Sequence, residues 1–106
     1  MINIVKLLTS EFISENTIPS NFSYGSAIYG RGGIEYILKK PDYIEAWVGG
    51  LGGTIKEGAG SRRRVTFTIQ DYKLHWICTG NPKNHQIFCK HCVALALAIK
   101  SSRPVS

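Results

Sequence analysis

The chain is short of several things that would assign it at once. No stretch of its 106 residues reaches the roughly 18–20 consecutive apolar residues that a membrane span needs. Charged residues are sparse at 19%, and no Asp or Glu follows Asp71. The segment after Asp71, which holds every cysteine and histidine, therefore has no carboxylate to serve as a general base, and a non-enzymatic protein is expected. The first residues, Met1-Ile2-Asn3-Ile4-Val5-Lys6, lack the basic, apolar and small-residue order of a signal peptide. A soluble, cytoplasmic protein is the expectation. Cysteines number only three, odd and without an export signal, which argues against a disulfide framework.

What is present suits one small domain. Hydrophobic residues make up 43%, enough for a core, although a chain of this length buries only about two-thirds of its surface. The net charge of +6 is unevenly placed: residues 1–53 carry −1, and residues 54–106 carry +7. A basic half beside a near-neutral half suits a polyanionic partner, and a solvated basic surface is the plain alternative. Arg62, Arg63, Arg64, Lys73, Lys83, Lys90 and Arg103 are the candidate phosphate contacts.

Periodicity supplies the elements. Ile4, Val5, Leu8 and Phe12 predict a short amphipathic helix within residues 1–15. Residues 16–33, rich in Ser, Asn and Gly, are expected to be mostly loop or a short edge strand. Alternation predicts strands over 34–39, with Ile34, Tyr36 and Leu38 together, and over 43–48, with Ile44, Ala46 and Val48 together. Residues 49–61 hold six glycines but match neither phosphate-binding glycine pattern, so a hairpin connection is expected. Val65–Ile69 and Lys73–Cys78, joined through Asp71-Tyr72, form a second hairpin. From about Lys90 to Lys100 the sequence is helical, with Cys92, Leu95, Ala96 and Ile99 on one stripe.

All three cysteines and all three histidines lie in the eighteen residues from His75 to Cys92. Zinc is the usual reason for such crowding, and a structural site needs four Cys or His ligands. His75 and Cys78 point to opposite faces of one strand, so both cannot serve. His85 sits in the connection after that strand, and Cys89 precedes the last helix. If that helix began at Cys89, Cys92 would share its face and be the partner. If it begins at Lys90 or His91, Cys-x-His can converge on one ion. The place of Cys92 on the apolar stripe favours His91 as ligand and Cys92 as core.

These residues carry a resemblance. Trp76-Ile77-Cys78-Thr79-Gly80, then Phe88-Cys89-Lys90-His91-Cys92-Val93-Ala94-Leu95, resembles a SWIM zinc finger, whose pattern is Cys-x-Cys followed by Cys-x-His. Arg31-Gly32-Gly33-Ile34 and Ile44-Glu45-Ala46-Trp47-Val48-Gly49 also resemble the stretch that precedes that finger. The resemblance implies Zn²⁺ at Cys78, Cys89 and His91. The second Cys falls on Gly80, and His85 is its natural replacement. It further implies a stand-alone module binding DNA or a protein partner; for the latter, Tyr43 and Trp47 offer a strand face.

The expected architecture is α+β, a small antiparallel sheet with a zinc-stapled β-hairpin, a C-terminal helix and a short N-terminal helix. Its parts are a lead-in over 1–24, a zinc-binding domain over 25–100 and a tail over 101–106.

Overall fold

A computed structural model describes residues 3–49, 63–79 and 87–101. The fold is α+β. Three helices come first, α1 (Ile4–Leu7), α2 (Ser10–Glu15) and α3 (Pro19–Gly30). Four strands come next, β1 (Ile34–Lys40), β2 (Tyr43–Val48), β3 (Arg63–Gln70) and β4 (Lys73–Cys78), and α4 (Lys90–Ser101) closes the described chain. The strands form one antiparallel meander in sequence order.

The expected N-terminal helix is two helices, because the segment carries two separate starts. Asn3 Oδ1 accepts from the Lys6 N–H at 2.9 Å, and Thr9 Oγ1 accepts from the Phe12 N–H at 3.0 Å. Each is an N-cap that satisfies donors the helix itself cannot. The Ile4 N–H donates to the Pro41 carbonyl at 2.8 Å, tying this end to the β1–β2 turn.

Where loop or edge strand was expected over 16–33, the chain makes the twelve-residue α3. Pro19 sits in its first turn, where a missing N–H costs nothing. Only Gly25 and Ile28 of α3 are buried, so there is no apolar stripe for periodicity to reveal. The contact is made by smallness instead. A Cβ at Gly25 would lie 2.6 Å from Val93 Cβ and 2.8 Å from the Lys90 carbonyl oxygen, so α3 and α4 approach this closely only over glycine. The helix ends through Gly32, at φ +76°, whose N–H donates to Tyr29 O.

The sheet has one apolar face. Ile44, Ala46, Val48, Val65, Phe67, Leu74 and Cys78 are buried on it, following the expected alternation. Strand β1 departs from it. A bulge at Ile37 shifts the register, so Tyr36 pairs with Ala46 but Leu38 pairs with Glu45 and joins the opposite face.

Helix α4 lies between the sheet and α3, and six of its residues are buried: Cys92, Val93, Ala94, Leu95, Ala96 and Ile99. That set is wider than a single stripe because Val93 meets α3 at Gly25. Ile4, Leu8 and Ile13 from the N-terminal helices belong to the same core cluster. None of the described helices is long and apolar enough to cross a membrane.

Candidate metal centre

Alternation along β4 turns Leu74, Trp76 and Cys78 toward the core, which puts a sulfur at the strand's last residue. The described chain returns at Ile87, and Phe88 anchors the entry to α4. The Phe88 ring is fully buried. It stacks on Phe67, with centroids 5.6 Å apart, and takes the edges of Trp76 at 4.5 Å and Phe12 at 5.8 Å. Trp76 Nε1–H donates to the Ile87 carbonyl at 3.3 Å.

The backbone of Phe88 is held as firmly as its ring. Its N–H donates to the Asn16 carbonyl, and its own carbonyl accepts from Thr17 Oγ1 at 2.8 Å and Asn21 Nδ2 at 3.2 Å. The N-terminal helices thus position the residue immediately before Cys89. Sequence reading missed this clamp, and no local pattern carries it, since Thr17 and Phe88 are 71 positions apart.

Helix α4 starts at Lys90, with Cys89 just outside it; the Val93 N–H donates to Cys89 O at 3.0 Å. This is the arrangement in which Cys-x-His converges. Cys78, Cys89 and His91 bring their ligand atoms within 4.8 Å of one another, a group that could hold a metal ion. Nδ1 of His91 is 3.8 Å from Cys78 Sγ and 3.9 Å from Cys89 Sγ. Cys78 is buried, and Cys89 and His91 are half-buried.

Cys92 is almost wholly buried at 1% exposure and belongs to the core, yet its sulfur lies 3.7 Å from Cys89 Sγ. It is not part of the three-ligand group. The sulfurs differ electrostatically. Cys89 is held far below the usual thiol range by hydrogen bonds with Cys78 and then Cys92, against its burial, with His91 and the Cys92 backbone N–H adding to the effect. Cys92 is pushed well up, first by its hydrogen bonds with Cys78 and Cys89 and then by burial. The start of a helix is also where the backbone dipole favours a thiolate.

The other candidates are dispersed. His75 is exposed on the far side of β4 from Cys78. His85, Arg62, Lys83 and Arg103 lie outside the described residues, as do residues 50–61 of the glycine-rich connection. Arg63 is half-buried; Arg64, Lys73 and Lys90 are exposed. Arg64 Nε pairs with Glu45 at 3.2 Å, and Lys90 Nζ stands 5.7 Å from the centre of the Tyr24 ring. Arg64 and Lys73 sit near opposite ends of the β3–β4 hairpin, about 20 Å apart along the strands. Among the described residues the basic side chains form no single cluster around the site.

No family model matches the chain, and no curated protein or solved structure matches it either. The donor geometry alone carries the chemistry.

Proposed function

We propose that the chain is a non-enzymatic zinc module of the SWIM kind, in which one structural Zn²⁺ staples the end of β4 to the start of α4. Cys78, Cys89 and His91 are three ligands, and His85, carried by the connection between those elements, is the fourth. The observation that carries this reading is the spacing of the donor atoms. A tetrahedral ion with Zn–S of about 2.3 Å and Zn–N of about 2.0–2.1 Å sets its sulfurs about 3.8 Å apart and its sulfur–nitrogen pairs about 3.6 Å apart. The two Sγ···Nδ1 separations here are 3.8 and 3.9 Å, close to that shape, and the thiolate–imidazole donor set suits zinc. Bound there, zinc supplies a redox-inert cross-link and no reaction.

The proposed partner is nucleic acid, met through Arg62, Arg63, Arg64, Lys73, Lys83 and Lys90. It is supported by the +7 charge of residues 54–106 and the exposure of Arg64, Lys73 and Lys90. A second reading, a zinc-stapled protein adaptor, is favoured by exposed Trp47 and Ile77 on the outer sheet face.

Two measurements test the proposal. Elemental analysis of protein purified without added metal should find about one zinc per chain, lost in Cys78→Ser, Cys89→Ser and His91→Ala but kept in Cys92→Ser. Zinc lost from Cys92→Ser and kept in His91→Ala would move the ligand from His91 to Cys92. Binding to a short DNA duplex should fall on the order of a hundredfold between about 50 and 200 mM salt if four phosphates are met. Salt-independent or absent binding would remove the nucleic-acid partner and leave the adaptor.

A further inference from the structure

Cys89-Lys90-His91-Cys92 does a second thing besides offering ligands. It sets two cysteines three positions apart across the first turn of a twelve-residue helix, with their sulfurs 3.7 Å apart. The two differ in access: Cys89 is half-buried at the helix mouth, and Cys92 is at 1% exposure beneath it. A disulfide needs Cβ atoms about 3.5–4.5 Å apart, closer than the roughly 5–6 Å between residues i and i+3 of a regular helix. Cys89 lies just outside α4, where its backbone is not held to helical spacing. Bringing the sulfurs from 3.7 Å to bonding distance requires a local adjustment at Cys89 rather than refolding of the chain.

We propose that Cys89 and Cys92 are a reversible dithiol–disulfide pair, an oxidation site for hydroperoxides in which Cys89 is attacked first and Cys92 resolves it. In the first step the Cys89 sulfur attacks one peroxide oxygen. The O–O bond breaks, Cys89 becomes the sulfenic acid, and the departing oxygen leaves as water or alcohol after taking a proton. In the second step the Cys92 sulfur attacks the Cys89 sulfur. The S–O bond breaks, water leaves with the Cys92 proton, and the S–S bond forms. Two thiols are oxidised by two electrons and one peroxide is reduced. A thiol reductant returns both sulfurs.

Access decides the order of attack. The outer sulfur meets the oxidant, and the inner one is too deeply placed to be oxidised alone but close enough to trap the intermediate before further oxidation. One consequence rests on the proposed zinc site: Cys89 cannot bind zinc as a thiolate while joined to Cys92, so oxidation releases the ion and unfastens β4 from α4. The disulfide itself needs no metal.

The test uses the full chain, reduced, in two portions, one as purified and one stripped of metal by a chelator, each titrated with hydrogen peroxide. The stripped protein should lose two of its three titratable thiols and become two hydrogens lighter by intact mass. Peptide mapping should place the bond between Cys89 and Cys92, and dithiothreitol should restore all three thiols. The portion as purified should release about one zinc for each disulfide formed. Cys78→Ser should still form the bond, whereas Cys92→Ser should stop at sulfenic acid on Cys89, read by a dimedone adduct. Three thiols surviving excess peroxide, or a bond mapped to Cys78, overturns the pair. A reduced protein that contains no zinc but forms the Cys89–Cys92 bond overturns the metal reading and leaves the pair standing.

Discussion

The β3–β4 hairpin is closed at its two ends by different means. At one end the chain reverses through Asp71 and Tyr72, with φ of 53° and 64°, and everything needed for closure lies in adjacent residues. At the other, Cys78 meets His91, thirteen positions on. Thr79 also donates its N–H to the Arg64 carbonyl and accepts the Arg64 N–H on Oγ1, and Trp76 Nε1–H reaches the Ile87 carbonyl. Backbone geometry alone closes the first end; at the second, side chains far apart in sequence add to the backbone bond between Thr79 and Arg64. A turn degrades by increments as its residues change. The proposed zinc staple would be lost whole when one ligand goes, because a metal site with a missing donor binds far more weakly.

The sharpest way to break the comparison is to remove the proposed zinc staple. Chelation, or Cys89→Ser, should lower stability by several kcal/mol, given that structural zinc contributes on the order of 10 kcal/mol in small zinc-dependent folds. The loss should appear as a fall in the denaturant midpoint. Hydrogen exchange should accelerate at residues 77–79 well before it does at residues 70–73. A zinc-containing protein whose midpoint ignores the chelator would show that burial closes both ends.

Next in size is the aromatic anchor. Phe88→Ala removes a fully buried ring that touches Phe67, Trp76 and Phe12, and should cost about 3–5 kcal/mol. It should also weaken zinc binding, measured by competition with a chromophoric chelator, because Phe88 positions Cys89. Unchanged zinc affinity would make Phe88 a packing residue only.

The helix approach behind the site is tested by Gly25→Ala, at about 1–3 kcal/mol for forcing a methyl group into a packed contact. Val93→Ala in the same chain should recover part of that loss, since it removes Val93 Cγ1, 2.6 Å from the added methyl, while Val93 Cβ and the Lys90 carbonyl remain as obstructions. Melting of the double variant below the single one would place the strain elsewhere.

These regions also differ in how far the sequence disclosed them. Strands β2 to β4 and α4 were legible because burial imposes a period on their residues: Ile44, Ala46 and Val48 alternate, and Cys92, Leu95, Ala96 and Ile99 recur with the helix. Convergence of Cys89 and His91 was legible from their spacing once the helix start was fixed at Lys90. Helix α3 was hidden because it packs through Gly25, and a hydrophobic pattern cannot register an absent side chain. The face of Leu38 was misread because a single extra residue, Ile37, inverts everything after it. The clamp of Thr17 and Asn21 on Phe88 depends on contacts that exist only after the core has formed.

The smallest expected effect has the opposite sign and probes the turn end. Tyr72 is 79% exposed and left-handed, a backbone state that costs a residue with a Cβ about 1–2 kcal/mol and glycine almost nothing. Tyr72→Gly gives the Asp-Gly pair that a two-residue hairpin turn favours. Glycine also has more freedom in the unfolded chain, which offsets part of the gain. The net expectation is a rise in stability of up to about 1 kcal/mol, read from the urea midpoint at constant slope. Zinc affinity should not move, because the substitution lies a hairpin's length from Cys78 and touches none of the residues that hold Phe88. A shift in zinc affinity as large as that from Phe88→Ala would mean that strain at the turn reaches the metal through β4, and that the two ends of the hairpin act as one unit.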